Sequence, residues 1–74
     1  MIQRGKELIR ISPKDAQKIE YSANDGRSWN ARYSGGSSTG SFQDLTDNGK
    51  EILGQTTKGL YYSTNDGRSW NRRS

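Results

Sequence analysis

The chain contains no cysteine and no histidine. Those absences remove the usual zinc, haem and iron–sulfur ligand sets and the commonest general base. Neither a cofactor nor a metal is expected. Asp44 and Asp47 have the residue types for glycosidase-like acid–base work, but they lead into Asn48-Gly49, and a polar turn explains them more simply. Asp25 and Asp66 sit close to arginines in turn-like segments, where most such pairs are solvated. Arg27, Arg32, Arg68, Arg72 and Arg73 gather around Trp29 and Trp70. Cationic groups interleaved with aromatics are what single-strand binders use, although no motif of the RNP type accompanies them. The net charge of +4 permits an anionic partner and is equally ordinary for a soluble domain.

The elements that must hold these residues are announced by an internal repeat. Tyr21–Asn30 reads YSANDGRSWN, and Tyr62–Asn71 reads YSTNDGRSWN, identical at nine of ten positions and 41 residues further on. Upstream the match is weaker: Glu7–Ile11 corresponds to Glu51–Gln55, and Lys18–Glu20 to Gly59–Tyr61, with an insertion around Pro13–Asp15. Each copy alternates polar and apolar residues, Ile19 and Tyr21 on one side of the motif and Trp29, Ala31 and Tyr33 on the other. That period of two is the strand signature. Asn-Asp-Gly between the arms is a turn signal, because Gly accepts positive φ and Asn or Asp tolerates it.

The sequence therefore predicts an all-β fold, about seven short antiparallel strands in a meander, near residues 7–12, 18–23, 28–34, 42–46, 51–57, 60–64 and 69–73. No stretch has a helical period. One domain spans 1–74, with a first hairpin unit at 7–34, a Gly/Ser-rich connector at 35–41 that reads as a flexible linker, and a second unit at 42–74. Apolar residues make up only 27% of the chain, so the core must lean on the seven aromatics.

Ser-x-Asn-Asp-Gly-Arg-Ser-Trp resembles the Asp-box, or BNR repeat, Ser/Thr-x-Asp-x-Gly-x-Thr-Trp/Phe. That motif recurs in sialidases and other β-propeller proteins, at the turn between the third and fourth strands of a blade. Asp47–Gly54 followed by Gly59–Ser63 is similar to the middle of such a blade. The resemblance is good over 42–73 and partial over 7–34, where the first strand is missing. Asn24 and Asn65 stand at the family's Asp position, Ser28 and Ser69 at its Thr, and Asp25 and Asp66 at the variable position beside it. Asparagine can still cap turn amides through its side-chain oxygen.

The resemblance implies two blade-like units and a structural role for Ser22, Asn24, Asp25, Gly26, Ser28 and Trp29. The same role is implied for Ser63, Asn65, Asp66, Gly67, Ser69 and Trp70. In the family these boxes usually lie away from the catalytic face. Arg10–Pro13 is similar to the Arg-Ile-Pro motif of sialidases with its proline displaced by one, and 74 residues cannot build a six-bladed site. No enzyme is expected. The expectation is a binding module for a carbohydrate or a protein, with Arg32, Tyr33, Tyr61 and Arg72 as candidate ligand contacts. Core or subunit packing is the competing role for the two tyrosines. Single-stranded nucleic-acid binding through an Arg/aromatic face is the alternative. Closed propellers take ~4–8 blades, so either the two units pack on each other or several chains complete a ring, and a homo-oligomer is expected. With no visible signal peptide and no membrane-spanning run, a cytoplasmic location is expected, secretion remaining open.

Overall fold

The computed structural model describes residues 1–73 and consists of two four-stranded antiparallel sheets, each a simple meander. The first sheet holds β1 (Ile2–Arg4), β2 (Glu7–Ile11), β3 (Lys18–Ser22) and β4 (Asn30–Ser34) in that order. The second holds β5 (Phe42–Asp47), β6 (Ile52–Thr56), β7 (Gly59–Ser63) and β8 (Asn71–Arg72). The repeat thus falls on matching elements, with the duplicated turn between the third and fourth strands of each sheet. One strand was not foreseen. β1 pairs with β2 across a two-residue turn at Gly5-Lys6, with Gly5 at φ 62°, as tight hairpins require. It gives the first unit the strand that the sequence comparison lacked. Its three residues carry only one apolar side chain, too few for a periodic signal.

The fourth strands start later than expected, at Asn30 and Asn71, so both tryptophans lie at the end of the turn and outside the ladder. The connector also departs from a flexible linker. It contains a single helical turn, α1 (Gly36–Thr39), and is tied down on both sides. The Gly35 and Phe42 amides donate to the carbonyls of Gln17 and Ala16, and Ser41 and Thr57 exchange hydrogen bonds. Gly40 takes φ 85°, and a side chain there would collide with Thr57 and Lys58.

The core lies between the sheets. Ile9 and Ile19 come from the first, and Phe42, Leu45, Ile52, Tyr61 and Trp70 from the second, with Ile2, Ile11, Tyr21 and Tyr33 at the margin. The two units do not contribute the same face. Register makes Leu8 the counterpart of Ile52 and Ile9 that of Leu53, because Leu8 pairs with Ser22 where Ile52 pairs with Ser63. In the first unit Ile9 and Ile19 are fully buried and Leu8 and Glu20 are half-buried. In the second Ile52 and Tyr61 are buried, and Leu53 and Leu60 are half-buried. Side chains alternate between faces along a strand, so this one-residue exchange is an exchange of faces. The units pack head to tail, the back of the first against the front of the second. A two-fold arrangement would have buried the same face twice.

Candidate binding surface

The duplicated turn builds itself from its own side chains. Ser22 Oγ accepts the Gly26 amide at 2.8 Å and the Asn24 amide at 3.3 Å, and donates to Asn24 Oδ1 at 2.8 Å. Asn24 Oδ1 also accepts the Ser28 amide at 3.0 Å, while its Nδ2 donates to Ser28 Oγ at 2.9 Å. Ser63, Asn65, Gly67 and Ser69 repeat each bond to within 0.1 Å. Asparagine here does two jobs, accepting a backbone amide and donating to the serine, and the second needs an amide nitrogen that a carboxylate does not have. Asp25 and Asp66 sit at φ 62°, followed by Gly26 and Gly67 at 88° and 91°. That left-handed pair is what an Asp-Gly turn supplies.

These serine–asparagine bonds are the same, but the surroundings differ. Trp70 is 7% exposed, its Nε1 donating to the Gly67 carbonyl at 3.0 Å and its ring 5.1 Å from that of Phe42 and 6.4 Å from that of Tyr33. It fits because position 54 is glycine: a Cβ there would lie 2.8 Å from Phe42 and 2.9 Å from Trp70. Trp29 is half-buried on the outer face of the first sheet. The place of Gly54 is taken there by Arg10, whose guanidinium carbon lies 3.9 Å from the centre of the Trp29 ring. Arg10 is held in turn by Glu20, with Nη2 2.9 Å from Oε1.

The same Glu–Arg–aromatic constellation occurs twice more. Arg32 stacks on Tyr21 at 3.9 Å and forks onto Glu7 with two bonds of 2.8 Å. Arg73 stacks on Tyr62 at 4.4 Å and forks onto Glu51, Nη2 to Oε2 at 2.8 Å. Bidentate Arg–carboxylate pairs of this kind are the stronger ion pairs. The hydrogen bond from Arg32 holds the Glu7 carboxyl below its ordinary range and Glu7 raises Arg32, burial opposing both shifts. At the seam between the units, Arg4 bridges Asp47 at 2.8 Å and Asp66 at 3.1 Å, lining a shallow polar cleft with Gln3 and Gly49. The Gly49 amide, and then Arg4, depress the Asp47 carboxyl.

The four ligand candidates do not converge. Arg32 has a side chain only 6% exposed, locked by Glu7, Tyr21 and the Asp66 carbonyl at 3.1 Å. Tyr33 packs edge-on against Phe42, with its hydroxyl 2.9 Å from Thr39 Oγ1. Tyr61 is buried in the core, and Arg72 is exposed on the edge strand β8. Asp44 and Asp47 do not act as a pair: Asp44 accepts the Leu45 amide, whereas Asp47 belongs to Arg4 and the Gly49 turn. Among the described residues, no group of three metal-ligating side chains occurs and no helix is long and apolar enough to cross a membrane.

Sequence reading missed Arg10, Glu20, Glu7, Glu51, Tyr62 and Arg4 as site members. A signal for one set existed, since Glu7, Tyr21 and Arg32 recur in the repeat as Glu51, Tyr62 and Arg73. No protein-family model matches the chain, and neither the curated proteins nor the solved structures contain a match.

Proposed function

We propose that this chain is a non-catalytic binding module of two degenerate Asp-box units that recognises a carbohydrate or a protein group. The observation that carries the reading is Trp29 on the outer face. A half-buried indole stacked under the Arg10 guanidinium, which Glu20 holds, offers its open apolar edge beside guanidinium donors and a carboxylate acceptor. That combination suits a sugar ring or a polar side chain, which needs an apolar face and edge hydrogen bonds together. The self-contained hydrogen bonds of the two turns support the Asp-box reading. The non-catalytic reading rests on the carboxylates, five of which (Glu7, Glu20, Asp47, Glu51 and Asp66) are engaged by arginines.

A second reading, single-stranded nucleic acid, is favoured by three Arg–aromatic stacks on a basic chain. It is weakened because each stacked arginine already has a glutamate, which leaves the triads close to neutral. Phosphate tracking needs cations that can give up counterions. Calorimetric titration of glycan panels, peptides and oligonucleotides against the wild-type chain and Trp29→Ala tests both. Salt-insensitive binding lost in Trp29→Ala supports the module as proposed. Affinity that falls steeply with salt and prefers oligonucleotides would replace it with the second reading.

A further inference from the structure

The first and second units meet through a defined set of contacts. The receiving half is present again on the outer face of the second unit. The turn of the inserting half is present again on the outer face of the first, where Glu20 and Arg10 replace Tyr61 and Gly54. On the receiving side, Ile9 and Ile19 lie under Gly67 of the second turn, and Arg32, set by Glu7 and Tyr21, donates to the Asp66 carbonyl. The outer face of the second unit carries the counterparts in order: Leu53 for Ile9, Leu60 for Ile19, Tyr62 for Tyr21, Glu51 for Glu7 and Arg73 for Arg32. Arg73 already makes the same fork onto Glu51 and the same stack on Tyr62, although its side chain is 43% exposed against 6% for Arg32. The receiving surface of the first unit thus has a matching surface on the outer face of the second.

The inserting side is also present. Gly26 and Asp25 of the first turn have the backbone conformation of Gly67 and Asp66. Gly67 is buried against the other unit, whereas a Cβ at Gly26 would meet Leu8 and Trp29 of its own unit among the described residues. A further pair of changes agrees. Where Arg4 meets Asp47 at the internal seam, the register-equivalent positions are Asn48 and Gln3. Both members change together from an ion pair to an amide pair, while Asp25, the counterpart of Asp66, would meet Asn48 where Asp66 meets Arg4.

From these matches we infer that a second copy of this chain docks head to tail, its first turn seated on Leu53, Leu60, Tyr62 and Arg73. Arg73 donates to the Asp25 carbonyl of the incoming copy as Arg32 donates to that of Asp66. The contact is heterologous, so it propagates until it closes; at two units per chain, closure takes about two to four copies. The Trp29–Arg10 platform then lies in the crevice between copies.

Light scattering after size exclusion over a concentration series tests this. The expected mass is a whole number of chains, two or more, that dissociates on dilution. Leu60→Glu on the receiving face and Leu8→Glu on the inserting face should each give a monomer with an unchanged far-ultraviolet circular dichroism spectrum. Mixed together, they should form a one-to-one dimer, since each retains the half that the other lacks. Should either variant lose its fold, Arg73→Ala takes its place, and the expected result is a shift of assembly to higher concentration. A wild-type monomer throughout, assembly indifferent to these substitutions, or a mixture that stays monomeric would overturn the inference. Ligand binding through Trp29 in a stable monomer would leave the recognition reading standing while this one fails.

Discussion

Two turns of nearly identical sequence carry the same serine–asparagine hydrogen bonds and end in the same tryptophan, yet one indole is a core residue and the other is half-buried. The difference arises outside the turns. Facing Trp70, position 54 has no side chain, and Phe42 and Tyr33 close over the ring. Facing Trp29, Arg10 lies across the ring and is pinned by Glu20, so the indole is shielded by a group that itself prefers water. A local motif sets local geometry. Which face of the unit becomes interior depends on its neighbour, and the two units bury opposite faces against each other.

Breaking the comparison at its centre should give the largest effects. Trp70→Ala is expected to destabilise by about 3–5 kcal/mol, the usual range for deleting a buried large aromatic. Trp29→Ala should cost about 1 kcal/mol, in keeping with a partly exposed cation–π contact. Urea denaturation of both, at a concentration where the chain is monomeric, measures the contrast. The arginines repeat it. Arg32→Ala leaves Glu7 uncompensated at a covered seam and is expected to cost about 3 kcal/mol. Arg73→Ala breaks an exposed pair and should stay within about 1 kcal/mol.

Gly54→Ala forces a methyl between Phe42 and Trp70 and should cost about 1–3 kcal/mol by overpacking. The register-equivalent Arg10→Ala should change the melting temperature little. The smallest effect is on pH dependence. Because Arg32 holds the Glu7 carboxyl below its ordinary 4.5, the pair contributes fully above that value. Its contribution is lost as pH falls through the lower folded-state value. Glu7→Gln should flatten the acid limb of a stability–pH profile and leave its slope above pH 5 unchanged.

The parts of the fold that could be read from sequence are those set by neighbours along the chain. Asn-Asp-Gly, with Ser22 and Ser28 around it, contains all the donors and acceptors that its turn uses, so the hairpins and their duplication were visible. The alternation of Ile19 and Tyr21 gave the strands. It could not show that Ile9 and Ile52, one register step apart, would be the buried members of their pairs, because both strands are apolar on two consecutive positions. The connector was misread for a similar reason. Its Gly/Ser composition signals flexibility, and what holds it is the reach of the Gln17 and Ala16 carbonyls from another loop. Arg32, Tyr33 and Tyr61 have the side chains of ligand contacts, and only the packing shows them occupied with the protein itself.

Single-tryptophan fluorescence tests the central claim most directly, using Trp29→Phe to report on Trp70 and Trp70→Phe to report on Trp29 in dilute, monomeric protein. The account predicts blue-shifted emission and weak acrylamide quenching from Trp70, and red-shifted, readily quenched emission from Trp29. Equal emission and equal quenching from the two would contradict it, because the identical turns would then sit in equivalent surroundings.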